Sequence, residues 1–147
     1  EDSQSALIRK ATWARTLREA GRDVPEAVAG GWEAAAGYEA GLHLATDPEV
    51  TAVFCANDEL ALGLIRAMHE QGRRVPADVS VVGFDGLAVG EYTFPPLTTV
   101  HQDFRRHGRE MVSLVLEQAT SVPLDGGRSV IIPTELLVRG STAPPAA

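Results

Sequence analysis

"TAVFCANDELALGLIRAMHEQGRRVPADVSVVGFDG", residues 51–86, carries two short apolar runs, and each breaks off at an acidic or amide side chain. The first, 52–56, stops at Asn57-Asp58, and the second, 79–84, stops at Asp85. Between them Leu60, Ala61, Leu64, Ile65 and Met68 recur at helical spacing, and Gly72 closes the pattern. This reads as strand, amphipathic helix, strand. Strands so uniformly apolar are covered on both faces, as in a parallel sheet flanked by helices. Parallel strands end on one common edge, and ligands of open α/β sheets gather at that carboxyl edge. The pattern therefore predicts that Asn57 and Asp85 reach toward one cleft.

The alternation continues outward in both directions. Residues 3–20 place Leu7, Ala11, Ala14 and Leu17 on one face and stop at Gly21, which predicts a helix with a glycine terminator. Residues 27–32 predict a short strand, and 33–46 an Ala-rich helix ending before Asp47-Pro48. After 79–84 comes a loop with Gly86, Gly90 and Pro95-Pro96, then an extended "LTTVHQ" (97–102), a helix over 103–119, and one or two strands in "RSVIIPTELLVRG" (128–140). The tail "STAPPAA" (141–147) predicts disorder. The fold class is α/β, with right-handed crossovers.

Composition narrows the function. With 147 residues and 44% apolar content the chain can bury one real core. A net charge of −7 argues against a phosphate-binding surface within these residues, and the basic cluster Arg105, Arg106, His107 and Arg109 is offset by acids elsewhere. Cys55 stands alone inside an apolar run, which predicts a buried thiol rather than a disulfide. No apolar stretch approaches the roughly 20 residues of a membrane span. The chain starts at Glu1, without Met, on a helical pattern, and so reads as a piece of a longer protein. No nucleophile elbow, Walker loop or dinucleotide fingerprint is present, and His43, His69, His101 and His107 lack metal-ligand spacing. An enzyme, a metal and a cofactor are not expected.

The side chains at the carboxyl edge suit a polyhydroxy ligand. Asn57 offers a donor and an acceptor, and Asp85 offers two acceptors, matching neighbouring hydroxyl groups that both donate and accept. Trp32, after Gly30-Gly31, is a flat apolar surface for the face of a sugar or base. Arg9 supplies a forked donor. Each residue taken singly also has an ordinary role: Asn57 as a helix N-cap, Asp85-Gly86 as a turn, Trp32 as core and Arg9 as a solvated side chain. Only their convergence makes a site.

The run 51–86, with "PPLTTVHQDF" (95–104) and "ELLVRGST" (135–142), resembles the effector-binding core of the lactose/galactose-repressor (LacI/GalR) family, and the likeness extends back to "SALIRKATW" (5–13). The resemblance implies a periplasmic-binding-protein-like fold of two lobes with the ligand between them. Residues 1–102 would be the C-terminal lobe, 103–125 a crossover helix belonging to the N-terminal lobe in relatives, and 126–147 a returning strand and tail. It implies effector contacts by Arg9, Trp32, Asn57 and Asp85, with Gln102 and Phe104 bordering the cleft, a set more like sugar binders than purine binders. It further implies a cytoplasmic transcription regulator, no membrane association, and operator DNA bound through a helix-turn-helix upstream of Glu1. A periplasmic-type sugar-binding protein for transport or chemosensing is the alternative.

A homodimer is expected for two reasons. Leu62 lies about 130° from the centre of the apolar stripe of its helix, at about 100° per residue, and the resemblance implies dimer contacts for that helix. The helix 103–119 carries Phe104, Met111, Val112, Leu114, Val115 and Leu116 around much of its circumference, so it requires burial on several sides.

Overall fold

The computed structural model describes residues 4–120 and 128–145. Its elements are α1 (Gln4–Glu19), α2 (Ala34–Leu44), β1 (Ala52–Phe54), α3 (Asp58–Glu70), β2 (Ser80–Asp85), a short 3₁₀ turn (Ala88–Tyr92), β3 (Thr98–His101), α4 (Phe104–Thr120) and β4 (Glu135–Leu137). The strands form one sheet in the order β1-β2-β3-β4. β1, β2 and β3 are parallel, with Phe54 opposite Val82 and Asp85 opposite His101, and β4 closes the sheet antiparallel to β3.

The core lies between α3 and the sheet. Ala61, Leu64, Ile65 and Met68 of α3 meet Val79, Val81, Leu97 and Cys55, with Leu44, Val53 and Val75 at the margin. The predicted stripe is thus the buried face of α3. Behind α3 lies α2, and their backbones nearly touch. A Cβ on Gly63 would collide with the Ala34 carbonyl oxygen, and one on Gly37 with the Leu60 carbonyl. Glycine is required at this crossing because the side-chain layer between the helices is missing.

Both α1 and α3 stop as their glycines predict. Gly21 and Gly72 adopt φ of 66° and 75°. After α1, the Gly21 amide donates to Arg18 O and the Arg22 amide to Leu17 O; after α3, Gly72 and Arg73 repeat the pattern to His69 O and Met68 O. These paired bonds satisfy carbonyls the helix leaves open. The second terminator also aims Arg73 back toward the end of α2, where its guanidinium donates to the carbonyls of Ala45, Asp47 and Val50 at 3.4, 2.9 and 2.7 Å.

Two expectations are corrected. Residues 27–32 form no strand, although they hold the β-prone Val28 and Trp32; among the described residues no neighbouring strand supplies the ladder that would fix them. The tail is ordered through Ser141, which is fully buried. Its hydroxyl donates to Val81 O at 2.6 Å and accepts from the Thr98 amide at 2.8 Å, while Ala143 exchanges two bonds of 3.0 Å with the Ser80 hydroxyl. Polar, Pro-rich composition concealed this because the anchoring is by hydrogen bonds to the sheet rather than by apolar burial. Residues 146–147 and 121–127 lie outside the described residues. Among the described residues no helix is long and apolar enough to cross a membrane.

Candidate functional site at the carboxyl edge

The strand ends bring most of the predicted residues together. Asn57 is the N-cap of α3, and its Oδ1 accepts the Leu60 amide at 2.8 Å. The same side chain turns Nδ2 toward the Trp32 carbonyl, also at 2.8 Å. Asn57 therefore starts a helix and also fastens the segment that carries Trp32. Trp32 remains 42% exposed, so it is not part of the core.

Arg9 reaches the same edge from α1. Its guanidinium carbon lies 4.5 Å from the Phe84 ring centre and 5.8 Å from that of Trp32. Both distances are within cation–π range. Its Nε is buried and has no hydrogen-bond partner among the described residues. A buried N–H without an acceptor is costly unless another atom completes it.

Asp85 ends β2 with φ of 105°, a left-handed conformation unusual for a residue with a side chain. Such strain costs on the order of 1–3 kcal/mol and persists where the surroundings impose it. Its Oδ1 accepts from Gln102 Nε2 at 2.8 Å, and its carbonyl accepts the Gln102 amide at 3.2 Å. Burial pushes the Asp85 carboxyl above the usual carboxylate range, and the Gln102 bond pulls against that shift.

The strain is held from beneath by Asp58, a residue that spacing at the strand ends did not single out. Asp58 is wholly buried. Its Oδ1 accepts the Thr99 hydroxyl and its Oδ2 the Leu87 amide, both at 2.6 Å, and Thr99 Oγ1 accepts the Gly86 amide at 3.3 Å. One carboxylate thus fixes the turn that aims Asp85. The absence of a side chain at Gly83 leaves room for it, since a Cβ there would strike Asp58 Oδ1. The helical period contained the signal: Asp58, Ala61, Ile65 and Met68 share one helical face, and a charge heading a buried stripe needs buried partners. Phe84 was likewise visible only as part of an apolar run.

Phe104 and Leu62 complete the predicted set. Phe104 opens α4 as a residue 55% exposed, and its aromatic neighbour is His107 at 6.1 Å. Leu62 is half-buried on the α2–α3 surface, beside Ala34, Ala35, Tyr38 and Arg66. There the Tyr38 hydroxyl donates to Glu70 at 2.6 Å, and Arg66 Nε donates to the same carboxylate at 2.9 Å.

Comparison with known proteins places this geometry. The family model described as a periplasmic binding protein-like domain matches residues 1–142. The HTH-type transcriptional repressor PurR of Haemophilus influenzae (strain PittEE) is 46% identical over 92 residues, covering 62% of this chain and 27% of that protein. A solved structure of a dimeric Lac repressor, carrying a C-terminal deletion and a lysine-to-leucine substitution, superposes with a TM-score of 0.87 at 36% identity, over 97% of this chain and 52% of that one. The complex of the transcriptional regulator CelR with cellobiose gives 0.83 at 34% identity, over 92% and 42%. The chain therefore spans about half the length, or less, of the relatives it matches. It belongs to the periplasmic-binding-protein-like family, as part of the effector-binding domain of the LacI/GalR repressors.

Proposed function

We propose that this chain is the sugar-sensing C-terminal lobe of a cytoplasmic transcriptional repressor, with the carboxyl edge of its sheet forming one wall of the effector cleft. The observation that carries this reading is the convergence of Arg9, Trp32, Asn57 and Asp85, in which Gln102 orients the Asp85 carboxylate and Arg9 keeps an unpartnered buried Nε. A planar ring for a sugar face, a carboxylate for paired hydroxyls and a forked cation describe a carbohydrate site. Gln102 and Phe104 border it. The relative in complex with cellobiose supports the ligand class.

Residues 1–102 serve as the lobe proper, 103–125 as the crossover helix toward the second lobe, and 126–147 as the returning segment. The exposed apolar face of α4, with Phe104, Met111, Val112 and Val115, supports this division. Effector binding between two lobes shifts their closure, and closure repositions a DNA-binding head by differential affinity for the two states. The protein works as a homodimer through the surface around Leu62, a reading supported by the dimeric relative.

Calorimetry of the parent protein against a panel of mono- and disaccharides and purines tests the effector class. A sugar binds, and Asp85→Ala weakens it by about 1.5–3 kcal/mol, roughly tenfold to more than a hundredfold. Binding of a purine with no response to any sugar would overturn the reading. Leu62→Glu in the same protein shifts light scattering from dimer toward monomer. An unchanged mass would remove this surface from the interface.

A further inference from the structure

Trp32 sits on a segment with little stiffness of its own. It follows Gly30-Gly31, and residues 27–32 join no strand among the described residues. A ring on such a segment samples many orientations unless its backbone is fastened. Here both peptide groups of Trp32 are held. Its carbonyl accepts from Asn57 Nδ2 at 2.8 Å, and its amide donates to Glu33 Oε2 at 2.9 Å.

The two holders are the N-cap residues of two packed helices, Glu33 for α2 and Asn57 for α3. They use their side chains differently. Asn57 caps with Oδ1 and fastens with Nδ2. Glu33 makes no capping bond, although its backbone, at φ −85° and ψ 160°, has the extended conformation of an N-cap. Ser, Asp or Asn here would satisfy an open amide of the first turn. The Glu33 carboxylate instead folds back over Gly31, where a Cβ would strike both of its oxygens. Gly31 is not among the glycines of positive φ, so it is small for space and not for backbone conformation.

We propose that Glu33 is a positioning residue for effector binding: it forgoes capping α2 and holds Trp32 at the angle at which the effector meets the indole, with Gly31 leaving room for it. The inference rests on the reading of Trp32 as an effector contact. Stacking depends on ring angle, and it gains from a platform ordered before the ligand arrives. Both clamps act on the backbone, so they steady Trp32 while leaving it 42% exposed.

Three substitutions separate this role from a merely structural one. Glu33→Asp keeps a negative charge at the N-terminus of α2, but the shorter side chain caps the first turn and no longer reaches the Trp32 amide. Glu33→Gln keeps both the reach and an acceptor oxygen. Gly31→Ala keeps Glu33 and displaces its carboxylate.

The test uses the parent protein labelled with 5-fluorotryptophan, the Trp32 fluorine resonance being assigned by Trp32→Phe. Without effector, Glu33→Asp and Gly31→Ala shift that resonance and leave that of Trp13 in place. Glu33→Asp also raises the urea midpoint, yet weakens binding of the sugar selected in the saccharide panel by about three- to tenfold, the effect of ordering one side chain on binding. Gly31→Ala weakens binding comparably and adds nothing further in the double variant. Glu33→Gln, the conservative change, rescues both the resonance and the affinity. A Trp32 resonance indifferent to Glu33→Asp would overturn the proposal. So would a shifted resonance with unchanged sugar affinity, or a Glu33→Asp variant of lowered urea midpoint. The expected resonance shifts in a protein that binds no panel sugar would support the clamp and refute the sugar reading.

Discussion

Replacing Asp58 separates a buried structural carboxylate from a ligand contact. Asp58 is fully buried and accepts two bonds of 2.6 Å, from the Thr99 hydroxyl and the Leu87 amide. Asp58→Ala leaves that hydroxyl and that amide without their acceptor and opens a small void. Each unsatisfied buried group costs about 1–3 kcal/mol, so the loss is about 3–5 kcal/mol, a large share of the roughly 5–15 kcal/mol available to a domain. Asp58→Asn behaves differently. Its Oδ1 can serve the Leu87 amide while its Nδ2 donates to Thr99 Oγ1, which rotates to accept, so the loss falls to about 1–2 kcal/mol. Urea unfolding followed by circular dichroism measures both. The Asn variant also weakens effector binding in the parent protein, because Thr99 and Leu87 brace the turn that holds Asp85 at φ of 105°. An Ala variant within about 1 kcal/mol of the unmodified chain, at an unchanged urea slope, would refute the reasoning.

Arg73→Ala releases the carbonyls of Ala45, Asp47 and Val50 at once and lowers stability by about 1–3 kcal/mol in the same urea assay; Arg73→Lys restores only part, since one ammonium cannot reproduce the fork. Burial pushes the Cys55 thiol up to about 12, so a disulfide reagent labels the native chain at about pH 8 far more slowly than the urea-unfolded chain; equal rates would place the thiol at the surface. Asp85 carries a carboxyl raised by burial, so acidification protonates it in the folded state at a pH above the ordinary value of about 3.9. The folded state then binds that proton more tightly than the unfolded chain, which makes Asp85 favour folding as pH falls through this window and oppose it at neutral pH. If Asp85 contacts the effector as proposed, effector affinity declines over the same window, and Asp85→Asn removes that pH dependence in calorimetric titrations.

The strand–helix–strand unit was legible in the sequence because each element carries its own periodicity: apolar runs at 52–56 and 79–84, a helical stripe between, and glycines at 21 and 72 that end helices by backbone geometry. The elements that failed depend on something outside themselves. A strand at 27–32 needs a neighbour before it exists, and the described residues give it none. Ser141 is buried by three hydrogen bonds to β2 and β3, a long-range relation that a Pro- and Thr-rich tail does not advertise.

The site shows the same division at the scale of single side chains. Asn57 and Asp85 were visible because each interrupts an apolar run at a strand end, and the capping and turn roles leave part of each side chain free for the ligand role proposed above. Asn57 caps α3 through Oδ1 and holds Trp32 through Nδ2. Asp85 is a turn residue, with φ of 105°, and also presents a carboxylate at the edge. A polar residue at the end of a buried strand can satisfy the next helix with part of its valence and face a ligand with the rest. Such positions are therefore where a parallel sheet builds a binding edge at little cost to its own fold. What the sequence could not rank was Asp58, one residue away, because its worth lies entirely in partners, Leu87 and Thr99, that only the crossovers bring to it.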